Sequence, residues 1–157
     1  MRKIGFIGCG HMAQALIKGL KSNKSYELLG HDRNSKNIAW LKQEKIASYS
    51  LKEVCHEADI LMICVKPKDM YDLCSEMKTH IGKELKIVSV AAGITLENLK
   101  DALSGGKVYR AMPNIGAKHN LGITSIFSYE ELNEILDIFN YLGKAIVVED
   151  EDKINLH

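Results

Sequence analysis

The stretch Lys3-Ile4-Gly5-Phe6-Ile7-Gly8-Cys9-Gly10-His11-Met12-Ala13 does most to limit the folds open to this chain. Its first half is a continuous apolar run ending in glycine, the pattern of a strand buried on both faces. Its second half fits G-x-G-x-x-A and opens an amphipathic segment with Met12, Ala15, Leu16, Gly19 and Leu20 at helical spacing. Each small residue has a physical reason. Gly8 permits a tight exit from the strand, Gly10 lets a pyrophosphate approach the backbone without meeting a Cβ, and Ala13 lets the helix pack closely on the strand. The helix N-terminus then offers unpaired N–H groups and partial positive charge to an anion. A glycine pattern alone is a weak signal. Here it follows a buried strand and heads a βαβ unit, and in that context it predicts a dinucleotide-binding turn.

Strand and helix patterns alternate along the remainder. Tyr26–Asp32 reads as a second strand, and Asn34–Glu44 as a helix with Ile38 and Leu41 inward. A short strand near Ile46 follows. Ser50 and Glu53 have capping-box spacing, so a helix starts there. Asp59–Val65 is a strongly apolar central strand, and Pro67 stands where a helix can begin. Lys86–Gly93 is the next strand, with Thr95 capping the helix after it. Gly106–Asn114 reads as a strand running into a loop at RAMPN, and Gly122–Ser128 as another strand. Ser128 and Glu131 repeat the capping-box spacing before a helix that ends at Gly143, and Lys144–Asp150 is a last strand. Strands alternating with helices of this length predict an α/β fold of Rossmann type: a doubly wound, mostly parallel sheet with helices on both faces. Ligands in such folds lie at the carboxyl ends of the strands.

The 157 residues suit one domain with its own core. A formal net charge of +1 gives no pull toward nucleic acid or membrane, and no apolar stretch is long enough to span a bilayer. Cys9, Cys55, Cys64 and Cys74 form no C-x-x-C pair, and read as reduced thiols of a cytoplasmic protein. The histidines show no metal-ligand spacing, so no metal is expected. Nothing suggests a nucleophilic serine or cysteine, and no catalytic residue is assigned.

The strand ends supply the other candidates. An acidic residue at the end of the second strand bonds a ribose 2′-hydroxyl, whereas an arginine there accommodates a 2′-phosphate. The chain carries both: Asp32 repels a phosphate, while Arg33 and Lys36 attract it. Asp32 has the further option of only capping the following turn. Lys66 reaches a phosphate or a carboxylate, or is simply a solvated lysine, and Pro67 shapes the floor beside it. The small residues Ala91, Ala92 and Gly93 leave room for a flat ring against the sheet, or reflect close helix packing. Asn114 is placed to bond a carboxamide, and Arg110 has a structural role as its alternative.

The segments IGFIGCGHMAQALIKGL, CVKP, SVAAGI and RAMPN, in this order and spacing, resemble the N-terminal domain of pyrroline-5-carboxylate reductase over essentially the whole chain. That family reduces a cyclic imine to L-proline with NAD(P)H. The resemblance implies that Ile7, Gly8, Cys9, Gly10, His11 and Met12 cradle the pyrophosphate. It implies that His31, Asp32, Arg33 and Asn34 meet the adenosine ribose. It also implies that Cys64, Val65, Lys66, Pro67, Ala91, Ala92, Gly93, Met112, Pro113 and Asn114 line the nicotinamide end. NADP(H) is the favoured cofactor, with NAD(H) admitted, and the substrate is pyrroline-5-carboxylate. Residues 1–157 then form one NAD(P)-binding domain. The helical domain that in the family carries the dimer and most of the substrate pocket is absent from this chain. A homo-oligomer is expected of the full-length protein and a monomer of this part, nearly inactive alone. The loop with Lys118 and His119 departs from the family by being more polar. A related imine or β-hydroxyacid reductase and a nucleotide-sensing regulatory module stay open as alternatives.

Overall fold

The structure is a computed structural model that describes residues 1–115 and 121–155. Lys118 and His119 lie outside the described residues. The elements follow as β1 (Arg2–Ile7), α1 (His11–Leu20), β2 (Tyr26–His31), α2 (Ser35–Gln43), β3 (Ala47–Ser48), α3 (Leu51–Glu57) and β4 (Ile60–Ile63). Then come α4 (Met70–Met77), β5 (Lys86–Ser89), α5 (Leu96–Leu103), β6 (Lys107–Ile115), β7 (Leu121–Phe127), α6 (Asn133–Leu142) and β8 (Lys144–Val147). Two 3-10 turns, Pro67–Asp69 and Glu151–Asn155, complete the described chain.

All eight strands join one sheet in the order β3-β2-β1-β4-β5-β6-β7-β8. The strands from β1 to β6 are mutually parallel, β7 runs antiparallel to β6, and β8 runs parallel to β7. The order reverses direction at β1, which is flanked by β2 on one side and β4 on the other. A doubly wound sheet opens its crevice at that reversal, because the connections leaving the two neighbouring strands part to opposite faces. The glycine turn sits directly above it.

The sheet carries apolar side chains on both faces, as a buried parallel sheet must. Ile60, Leu61, Met62 and Ile63 of β4 are all fully buried. On one face Leu61, Ile63 and Ile87 pack with Val54 of α3, Met70 and Met77 of α4, and Leu99 of α5. On the other, Phe6, Met62 and Val88 pack with Leu16 and Ile17 of α1, Leu41 of α2, and Ile138 and Phe139 of α6. The alternation expected from the sequence is therefore present.

Several boundaries differ from the sequence reading. Ile38 does not face inward: it is 37% exposed, and α2 buries only Leu41. Pro67 starts a 3-10 turn that precedes α4, so the helix proper begins three residues later. β5 ends at Ser89, leaving Val90–Gly93 beyond the strand. RAMPN is strand and not loop, because β6 continues to Ile115 by pairing with β7 after β5 has ended. The ladder accommodates Pro113 through a register shift between Pro113 and Ile115. Ser128 and Glu131 do not form a capping box. Ser128 Oγ donates to the Val108 carbonyl at 2.6 Å, Glu131 Oε1 accepts from Asn133 N–H at 2.6 Å, and α6 starts with no side-chain cap. By contrast, Ser50 and Glu53 form a reciprocal capping box, and Thr95 Oγ1 accepts from Asn98 N–H.

Candidate dinucleotide-binding site

The turn after β1 is strapped to both neighbouring strands. Gly8 N–H donates to the His31 carbonyl at 2.9 Å, and Cys64 N–H donates to the Ile7 carbonyl at 2.8 Å. Gly8 lies at φ +83°, where an L side chain is strained, and a Cβ there would come within 2.9 Å of Val65 Cγ1 and 3.1 Å of the Cys64 backbone. Gly10 differs. It stands at the N-cap of α1 in extended conformation with no side-chain cap, and a Cβ there would meet nothing within 4 Å. The open space before an uncapped helix N-terminus has room for a pyrophosphate, whose oxygens would satisfy the free N–H groups.

Two side chains of this turn, Cys9 and Ala13, are fully buried. The Cys9 side chain is fully buried, its Sγ within 3.5 Å of the His31 carbonyl. Burial, with Asp32 adding to it, pushes the Cys9 thiol up to about 12. Ala13 is buried against the sheet face, His11 is exposed, and Met12 is half-buried.

At the end of β2, Asp32 ties the second strand to this turn. Its Oδ2 accepts from Cys9 N–H at 2.6 Å and from Asn37 Nδ2 at 2.9 Å, and its Oδ1 accepts from Asn34 N–H at 2.8 Å. Burial alone would raise the carboxyl's pKa, but the N–H donors of Asn34, Cys9 and Asn37 outweigh it, so Asp32 lies below the usual carboxylate range. Asn34 in turn caps α2, its Oδ1 accepting from Lys36 N–H at 2.8 Å and Asn37 N–H at 3.2 Å. His31 Nδ1 lies 2.9 Å from the Tyr49 carbonyl, which can only accept, so Nδ1 carries the proton. Arg33 donates from Nη2 to Glu76 Oε2 of α4 at 2.6 Å.

His31, Asp32 and Arg33 border a cavity of about 320 Å³ over the reversal point of the sheet, which Cys9, Gly10, Asn34, Asn37 and Glu76 do not line. From the expected set it gathers Ile7, Gly8, His31, Asp32, Arg33 and Val65. It adds Asp69, Asp72 and Leu73, which sequence reasoning did not select. Their signal was the three-residue spacing of two carboxylates just after Pro67, legible only as helix-start chemistry. Asn37 and Glu76 were likewise missed: Asn37 reaches back five residues to Asp32, and Glu76 acts through Arg33, distant in sequence.

The remaining candidates do not line this cavity. Lys66 and Pro67 are exposed after β4, while the half-buried Cys64 has its thiol pushed up by burial. Ala91 is buried, and Ala92 and Gly93 are exposed beyond β5. Because β6 outruns β5, Met112, Pro113 and Asn114 stand past the edge where β5 ends. Met112 is half-buried, Pro113 buried and Asn114 exposed. Arg110 is structural: at 4% exposure it donates from Nη1 to Glu151 Oε2 at 2.8 Å, and the same oxygen accepts from Leu96 N–H at 2.7 Å.

Comparison with known proteins agrees with this fold. The chain is 35% identical over 158 residues to a pyrroline-5-carboxylate reductase of Escherichia coli (strain K12), covering 94% of this chain and 59% of that protein. A Methanosarcina acetivorans protein of the same name is 31% identical, with 94% of this chain and 58% of that protein covered. The chain thus spans about three fifths of the length of the curated relatives it matches. Among solved structures, a pyrroline-5-carboxylate reductase from Coxiella burnetii superposes with a TM-score of 0.87 at 24% identity, over 96% of this chain and 60% of that one. One from Streptococcus pyogenes gives 0.81 at 25% identity, over 97% and 60%. The family described as NADP oxidoreductase, coenzyme F420-dependent, matches residues 3–93, which hold the glycine turn, the Asp32 network and the ends of β4 and β5. The chain belongs to that oxidoreductase family.

Proposed function

We propose that residues 1–157 are the dinucleotide-binding part of a pyrroline-5-carboxylate reductase. The observation that carries the binding reading is the turn at Gly8 and Gly10: one glycine held at positive φ, the other opening onto empty space at an uncapped helix N-terminus. The substrate reading is supported by relatives named for that activity along 94% of this chain. In this reading Ile7–Met12 hold the pyrophosphate, His31–Asn34 the adenosine ribose, and the segments at Cys64–Pro67, Ala91–Gly93 and Met112–Asn114 the nicotinamide end. A bound NAD(P)H supplies the hydride that reduces the imine carbon. An iminium is already a good hydride acceptor, so no acid of this chain is assigned to the step. What these residues contribute is position, which is worth several kcal/mol in such reactions (roughly 7–11 at the upper limit).

The part of the relatives that this chain does not cover supplies, in this reading, the rest of the substrate pocket and the oligomer contacts. Residues 1–157 then bind dinucleotide but turn over little. The test is calorimetric titration with NADH and NADPH, beside an assay of pyrroline-5-carboxylate reduction by these residues and by a full-length relative carrying them as its first domain. Saturable binding with turnover only in the longer protein is the expected result. Binding without pyrroline-5-carboxylate reduction in either protein would reject the substrate. No binding of either dinucleotide would reject the site.

A further inference from the structure

We propose that the ribose end of this site selects the unphosphorylated dinucleotide, NADH over NADPH, with Asp32 as the selecting residue. The inference rests on the dinucleotide reading above and reverses the preference for NADP(H) expected from the sequence.

Three observations carry it. First, the cavity that receives the ribose is bordered by three carboxylates, Asp32, Asp69 and Asp72, against one guanidinium, Arg33. NADPH differs from NADH by a 2′-phosphate bearing close to two negative charges, so the lining opposes that group and leaves a hydroxyl unopposed. Lys36, the second cation expected to attract a phosphate, does not line the cavity.

Second, Arg33 is already engaged. Its Nη2 lies 2.6 Å from Glu76 Oε2, with the two side chains 76% and 48% exposed. An exposed pair is weak in itself. Its consequence is an exchange: a phosphate that recruits Arg33 replaces one anion partner with another and leaves Glu76 unpaired beside the site.

Third, three backbone donors around the start of α2 are committed. Asn34 N–H donates to Asp32, while Lys36 N–H and Asn37 N–H donate to Asn34 Oδ1. The start of α2 is capped from within the chain, in contrast to the uncapped start of α1. Phosphate recognition is thus built at the first strand end and withheld at the second. Asp32 accepts from Cys9, Asn34 and Asn37 and still borders the cavity, where a neutral ribose hydroxyl can donate to it and a phosphate cannot.

The test is calorimetric titration of the chain with NADH and with NADPH, on the wild type and on Asp32→Asn and Glu76→Gln. The wild type should bind NADH at least about tenfold more tightly. Asp32→Asn should bring the ratio toward one. Glu76→Gln keeps the Asp32 network intact, remains informative if Asp32→Asn unfolds, and should shift the ratio toward NADPH by about two- to fivefold through release of Arg33. Equal or tighter binding of NADPH by the wild type overturns the selection and leaves the dinucleotide site standing. Binding of neither overturns both. A wild-type preference for NADH that stays unmoved in each folded variant overturns the assignment to these charges.

Discussion

At Gly10 an added methyl separates binding from folding. The position is extended with open space around its absent Cβ, so Gly10→Ala should leave the melting temperature nearly unchanged, within about 0.5 kcal/mol of stability. The same substitution should weaken dinucleotide binding by tenfold or more, about 1.4 kcal/mol, read by calorimetry. Gly8→Ala should do the reverse in order of severity. The φ of +83° and the contact with Val65 should cost about 1–3 kcal/mol in chemical denaturation before any ligand is added. Thiol chemistry gives a third check. Cys9 at about 12 and Cys55 at about 11 are held protonated by burial, so neither should react with Ellman's reagent at pH 8 until the chain is unfolded. The two glycines were legible in the sequence because a strand–turn–helix is local. The bond from Cys9 N–H to Asp32, the Arg33–Glu76 pair and the inclusion of Asp69 and Asp72 were not, since each depends on where separate elements land.

Among the elements, Ser50–Glu53 and Ser128–Glu131 share one sequence pattern and have different outcomes. The first caps α3; the second meets a neighbouring strand, because Ser128 Oγ reaches the Val108 carbonyl and α6 starts further on. Local spacing states what a serine can do, and the strand beside it decides. Likewise the extension of β6 through RAMPN was hidden, because β5 ends and β7 takes over the pairing. Glu134 on α6 ties three elements together. It accepts from Arg2 Nε at 2.7 Å, Arg2 Nη2 at 2.8 Å and Lys86 Nζ at 2.9 Å. Glu134→Gln should cost about 1–2 kcal/mol, the lower part of the range for charge-assisted bonds because Arg2 is partly exposed. The Arg2 bond, against a desolvation that works the other way, and then Lys86 hold the Glu134 carboxyl below its ordinary value. A carboxyl depressed in the folded state stabilises above its unfolded pKa, about 4.3, and loses that contribution as pH falls through the folded value. The stability gap between wild type and Glu134→Gln should therefore be constant from pH 6 to 7 and close below about pH 4 in urea titrations.

For the whole molecule, the strand order and the reversal at β1 place the glycine turn, the end of β2 and the start of α4 around one cavity. The alternation of patterns made the parallel half readable. The antiparallel turn at β7 and the parallel return of β8 were not, because strand direction is set by which edge remains free after the earlier strands have paired. A ligand that binds only the folded chain should raise its melting temperature by mass action. NADH at a hundred times its dissociation constant adds about 2.7 kcal/mol, or roughly 5–10 °C for a chain of this size in a thermal scan. The bond from Cys9 N–H to Asp32 also bears on how such a protein changes over generations. One carboxylate both braces the first turn and borders the cavity. A lineage that exchanges it for a basic residue gives up part of the brace in the same step. Inherited change at position 32 should accordingly come after, and not before, a compensating acceptor for Cys9 N–H.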